Sequence, residues 1–199
     1  MAVVKLSTAG LTNYAKYSSM LAGNAPFSAS AYDLLETTTL SSSASGVTFS
    51  GLDTLAAGYA HLQIRAVVRG VQSGTATLKA NLNGDTGSNY SYHRLEGNGS
   101  SVSSAGGGSI SFLSLGKVPG TSDSSEVFAP AIIDILNFSS TSQNTTARAL
   151  SGNVGDVNNI ALKSGLWVNT AAVTSISFAN SSGDMVAGTR FSLYGIKGA

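Results

Sequence analysis

"HLQIRAVVR", residues 61–69, decides the fold. If the chain is extended here, Leu62, Ile64, Ala66 and Val68 fall on one face and Gln63, Arg65 and Arg69 on the other. A period of two is what a strand with one buried face requires, because successive side chains point to opposite sides. "TATLKANLN", residues 75–83, repeats the pattern: Ala76, Leu78, Ala80 and Leu82 alternate with Thr77, Lys79 and Asn81.

Working outward, similar stretches are expected at 31–36, 46–50, 90–95, 109–115, 127–136, 145–150, 159–168, 173–178 and 189–196. Between them lie polar, glycine-rich joints such as "SGLDTLAAG", "GNGSSVSSAGGG" and "NSSGDMVAG", of which the joint over 97–108 is the most flexible by composition. Many short strands with frequent turn signals and no helical stretch between them imply an all-β fold, an antiparallel β-sandwich that is jelly-roll-like, over residues 27–199. Its expected core includes Leu62, Ile64, Val68, Leu78, Leu82, Ile133, Ile135, Phe191 and Leu193.

Residues 1–26 read differently. Leu11, Tyr14, Tyr17 and Leu21 recur at helical spacing, with Gly23 and Pro26 as a stop. This predicts a short, partly helical N-terminal arm joined to an extended start. A helix shorter than about 12–15 residues is marginal alone in water, so those four side chains are expected to dock, on the arm's own body or on a partner.

Composition narrows the function. Only 11% of the 199 residues are charged, against about 25% in an ordinary soluble domain. The 11 basic and 10 acidic residues leave a net charge of +1 and are spread along the chain, unlike the clustered Lys and Arg of a nucleic-acid footprint. No cysteine is present, which removes disulfides, thiol nucleophiles and cysteine zinc sites. There is no apolar run long enough to span a membrane, and the opening "MAVVKLSTAGLTNYAKYSSML" lacks a signal peptide's apolar block. A nearly neutral surface of Ser, Thr, Gly, Asn and Ala suits a subunit packed in an assembly, made and assembled inside a cell.

The stretch with the most chemistry-like residues is "NLNGDTGSNYSYHRLEGNG", residues 81–99. It lacks the repeated carboxylates of a calcium loop, and Asp85 stands alone. His93 and His61 are the only histidines, thirty-two positions apart by number, so neither a metal nor a cofactor is expected. The glycines precede no Gly-Lys-Ser/Thr and make no phosphate loop. No G-x-S-x-G elbow activates a serine, and "SLGK" at 114–117 matches S-x-x-K without the motifs that accompany it. The five Asn-x-Ser/Thr triplets, at Asn89 and Asn137 among others, matter only in a glycosylating pathway. The stretch therefore reads as a turn, with positive φ at Gly84 and Gly87, followed by a strand that places Tyr90, Tyr92 and Arg94 on one side. Those three are candidates to face a glycan, although sheet packing explains the tyrosines as well. Trp167 is expected to be a packed or interface anchor.

Taken together, "YDLLETTTLSSSASGVTFSGLDTLAAGYAHLQIRAVVR", "LNGDTGSNYSYHRLEGNGSS", "IIDILNFSSTSQNTTARALSG", "SGLWVNTAAVTSISF" and "RFSLYGIKG" resemble small virion structural proteins of tailed bacteriophages, especially aquatic and marine ones. The likeness spans roughly 32–198, with Leu82-Asn83-Gly84 departing modestly from a Phe-Asn-Gly form. The resemblance implies a particle component with a jelly-roll-like body and no enzymatic role, localised to the virion. It is expected to be a capsid decoration (cement) subunit, a homo-oligomer, trimeric by preference, on the major capsid protein. The alternative is a tail-tip or fibre subunit that joins tail proteins and binds host surface glycans.

Overall fold

A computed structural model describes residues 31–155 and 158–198. Among these residues twelve strands follow one another: β1 (Tyr32–Thr39), β2 (Gly46–Ser50), β3 (His61–Val68), β4 (Ala76–Leu82), β5 (Tyr90–Gly97), β6 (Val102–Ile110), β7 (Leu113–Val118), β8 (Ala129–Leu136), β9 (Thr145–Asn153), β10 (Asn159–Trp167), β11 (Ser175–Asn180) and β12 (Arg190–Ile196). One short helix, α1 (Leu52–Leu55), interrupts the joint after β2, where the sequence suggested no helix.

The strands form two antiparallel sheets, the larger in the order β1-β12-β3-β8-β9-β10-β5-β6 and the smaller in the order β2-β11-β4-β7. This is the all-β sandwich expected from the period of two. The alternation in β3 and β4 is realised with Leu62, Ile64, Ala66, Val68, Leu78, Ala80 and Leu82 all buried. All nine expected core residues are buried, and they share one apolar cluster with both sheets. At its centre Phe178 of the small sheet stacks on Phe191 of the large one, ring centroids 4.9 Å apart, while Phe49 meets Phe178 edge-on.

Other local expectations change: the strand expected at 109–115 is divided between the end of β6 and the start of β7, with Ser111 and Phe112 in the turn between them. Arg69, assigned by alternation to the solvent face, is buried just past the end of β3. Its guanidinium donates to the carbonyls of Asp123, Ser124 and Val127 at 2.6–2.9 Å and so ties down the segment before β8. The joint over 97–108 is a tight turn at Asn98–Ser101 followed by β6, an edge strand whose backbone pairs with β5. Small residues hid this strand, because Ser and Gly carry no alternation to read.

The smaller sheet covers only part of the larger. Its edge strand β7 lies mainly over β9 and β10 and also touches β8 and β5, so only the later part of β5, with β6, extends beyond it. That overhang, and the outer face of the large sheet, are where the molecule keeps open chemistry.

Candidate functional site

The outer face of the large sheet is built by an inverted pattern. In β8, β9 and β10 the inward positions include Ala131, Ala149 and Ala161, each nearly fully buried, beside the larger Ile133 and Ile135 of β8. The outward positions hold Ile132, Leu150 and Leu162. Small residues inside let β7 approach, and the larger apolar ones are left facing out.

Register lines these up. Ile132 lies opposite Leu150, Leu150 opposite Leu162, and Leu162 opposite Leu95 of β5. Four strands spaced ~4.8 Å apart make a continuous apolar row about 15 Å across. Its members are 41%, 49%, 49% and 51% exposed, and Ile160, Val102 and Val154 beside them are more open still. Together these side chains expose on the order of 700 Å², more than the largest apolar patch of a typical soluble monomer, about 300–600 Å².

The next row is polar. Asp134 accepts from Gln63 Nε2 at 2.8 Å and from Arg148 at 2.9 Å, and Ser164 and His93 continue the line across β10 and β5. An apolar centre beside a polar border with satisfied hydrogen bonds is the anatomy of a protein–protein contact. Two shallow hollows open on the apolar part, one lined by Pro130, Ile132, Leu150, Val154 and Ile160 and the other by Ile132, Leu150 and Leu162 with Asp134 and Arg148.

The loop from Asn81 to Tyr90 is closed by its own hydrogen bonds. Asn83 and Gly84 both take positive φ, 52° and 67°, the conformation in which Asn-Gly reverses a strand; Gly87 does not share it. The Asp85 carboxylate accepts from Trp167 Nε1 at 2.7 Å, Asn89 Nδ2 at 2.9 Å and the Gly87 amide at 2.8 Å. These donors, the indole first, hold its pKa below the usual carboxylate value. Tyr90 Oη donates to the Asp85 carbonyl and accepts from the Leu82 amide. Trp167 is a packed anchor, buried and stacked on Tyr90 with centroids 6.4 Å apart.

This corrects the strand-face expectation for the glycan candidates. Tyr90, Tyr92 and Arg94 do share a side of β5, but that side is the inner one. Tyr90 is 1% exposed and cannot face a ligand, and desolvation raises its pKa. Tyr92 and Arg94 sit further along, past the cover of β7, and line a cleft. Leu11, Tyr14, Tyr17 and Leu21 lie outside the described residues.

Among the described residues no group of three or more His, Asp or Glu is placed to hold a metal ion. His61 Nδ1 accepts from the Asn137 amide, while His93 stands on the outer face of β5. Among the described residues no helix is long and apolar enough to cross a membrane. No protein-family model matches this sequence, and no curated protein matches it.

The apolar row was missed in reading the sequence because alternation was used to find one buried face. The available signal was a strand such as "NIALKSGLW" with apolar residues at both parities, Ile160 and Leu162 on one side and Ala161 on the other.

Proposed function

We propose that the protein is a structural subunit of a bacteriophage particle, a capsid decoration subunit that binds the capsid lattice, stabilises the particle and catalyses nothing. The sequence resemblance to small virion proteins supports this, and so does the low charge. The observation that carries it is the apolar row Ile132–Leu150–Leu162–Leu95. Its exposed area, on the order of 700 Å² with its neighbours, approaches the ~800 Å² that each partner contributes to a standard interface. The occupant of this face is a second copy of the chain, in a closed homo-oligomer for which a trimer is the expected form, since closed symmetry limits the number of copies. A jelly-roll-like winding and a partly helical arm over 1–26 belong to the same proposal. Through Leu11, Tyr14, Tyr17 and Leu21 the arm attaches the oligomer to the major capsid protein.

Immunogold labelling of intact virions tests the location: label over the head supports a decoration subunit, label over the tail replaces it with the tail-tip or fibre reading, and no label rejects both. Sedimentation tests the face. The native protein should run as a trimer, and Leu150→Lys with Leu162→Lys as a monomer with an unchanged circular dichroism spectrum. A native protein that is strictly monomeric, or a double variant still trimeric, would falsify this use of the face.

A further inference from the structure

Lys79, Arg94, Lys117 and Lys163, four of the chain's eleven basic residues, come together at the overhang beside β7. The cleft there, about 260 Å³, is lined by Arg94, Lys117 and Lys163, with Tyr92, Phe112 and Ser114 among its walls. Lys79 Nζ stands 5.9 Å over the Phe112 ring at its border.

The lysine at its base is unusual. Lys163 has a side chain only 4% exposed, yet register sets it directly opposite Arg94, a like charge. Among the described residues Glu96 is the one carboxylate that pairs with these cations. It makes a 2.9 Å pair with Arg94 but stands 3.7 Å from Lys163 Nζ, which donates instead to Ser114 Oγ at 3.1 Å. Arg94 Nε has no hydrogen-bond partner, and the Lys117 ammonium has none among the described residues. Among the described residues, three lining cations against one carboxylate leave a surplus of two positive charges in the cleft. Packing alone gives no reason to bury a lysine here, because an apolar side chain of the same length avoids its desolvation.

We propose that this cleft binds a small organic anion, the carboxylate-bearing ring of an acidic saccharide of the uronic acid class. The carboxylate meets the Lys163 and Lys117 ammonium groups, which have N–H donors to spare. The ring lies against Tyr92 and Phe112, since sugar faces pack on aromatic rings whose polar tips remain wet. Gly107 of β6 makes room for this wall, because a Cβ there would stand 2.9 Å from Tyr92 Cε1. The volume is below the ~300–1,000 Å³ of sites for drug-sized ligands, so it takes one ring. Burial, and the nearby Lys117 and Arg94, lower the Lys163 pKa, while Glu96 raises it in part. A bound anion relieves that cost. Nothing in this inference depends on the assembly reading.

Calorimetry of the full chain with glucuronate, glucose and sulfate tests it. Glucuronate should bind and glucose should not. Lys117→Gln should weaken glucuronate about tenfold, the worth of one charge-assisted hydrogen bond, and Lys117→Arg should restore it. Tyr92→Ala should weaken glucuronate while leaving sulfate unchanged. Thr77→Glu, which adds a carboxylate to the cleft lining, should abolish binding of both anions and checks the charge argument independently of Lys117. The proposal is overturned by any of three results: no binding of glucuronate, equal binding of glucose, or sulfate matching glucuronate with no effect of Tyr92→Ala.

Discussion

Two polar regions of the molecule are opposites. The Asn81–Tyr90 loop gathers its Asp, Asn and Tyr residues within ten positions, and nearly every donor and acceptor is spent inside the fold. Asp85 alone takes three donors. The cleft beside β7 draws on residues from 77 to 163, on β4, β5, β6, β7, β10 and the β6–β7 turn, and its cations have donors left over. Density of polar residues in sequence marks a turn that must satisfy itself. Open valence arises where a sheet brings distant positions together and one layer stops short of covering the other.

The largest expected effect is on the closed region. Trp167→Ala removes a buried aromatic and should cost about 3–5 kcal/mol in urea unfolding. A loss below ~1 kcal/mol would mean that the loop does not rest on the indole, and the contrast would collapse. Tyr90→Phe comes next. Removing the hydroxyl leaves the Leu82 amide without its partner, and an unsatisfied buried group costs about 1–3 kcal/mol. Tyr92→Phe, two residues along the same side, should change stability by no more than about 0.5 kcal/mol. If the two variants cost the same, the hydroxyls are equivalent and the distinction between spent and open groups is wrong.

Asp85 gives a smaller effect whose shape matters more than its size, because solvent reaches the carboxylate. Its folded pKa lies below the ordinary 3.8. The stabilisation is therefore complete above that value and is lost as pH falls through the folded pKa. Asp85→Asn should flatten this acid limb of the unfolding curve while keeping an oxygen for the Trp167 N–H. An acid limb unchanged in the variant would assign the limb to other carboxylates.

The fold was legible because β3 and β4 have apolar residues at alternate positions and mostly polar ones, such as Gln63, Arg65, Lys79 and Asn81, between them. β6 was not, since "VSSAGGGSI" has no side chains from which to read a face. The outer apolar row was hidden by the reverse problem: β10 is apolar at both parities, and only the position of β7 decides which side is covered. Tyr92 and Arg94 were legible as a pair on one side of β5. Their separation from Tyr90 was not, because it depends on where the second layer ends, which no local pattern encodes.

A small effect in the open region turns on the sign of a titration. Lys163→Met removes a buried cation whose neighbour Glu96 keeps its pair with Arg94 at 2.9 Å. Desolvation relief and the lost 3.7 Å attraction oppose each other, so stability at neutral pH should change by less than ~1 kcal/mol. The pH dependence should change more clearly. Because burial lowers the Lys163 pKa below 10.5, the unfolded chain holds more protons than the folded one between the two values. Lys163 therefore contributes a gain in stability as pH rises through that alkaline window, opposed at higher pH by the loss that the raised Tyr90 pKa brings. Lys163→Met should abolish the gain. Saturating glucuronate should reduce or reverse it in the native protein, because an anion beside the ammonium favours the proton. An alkaline limb identical in the native protein and Lys163→Met would mean that Glu96 already satisfies Lys163, and the cleft would then be as closed as the loop.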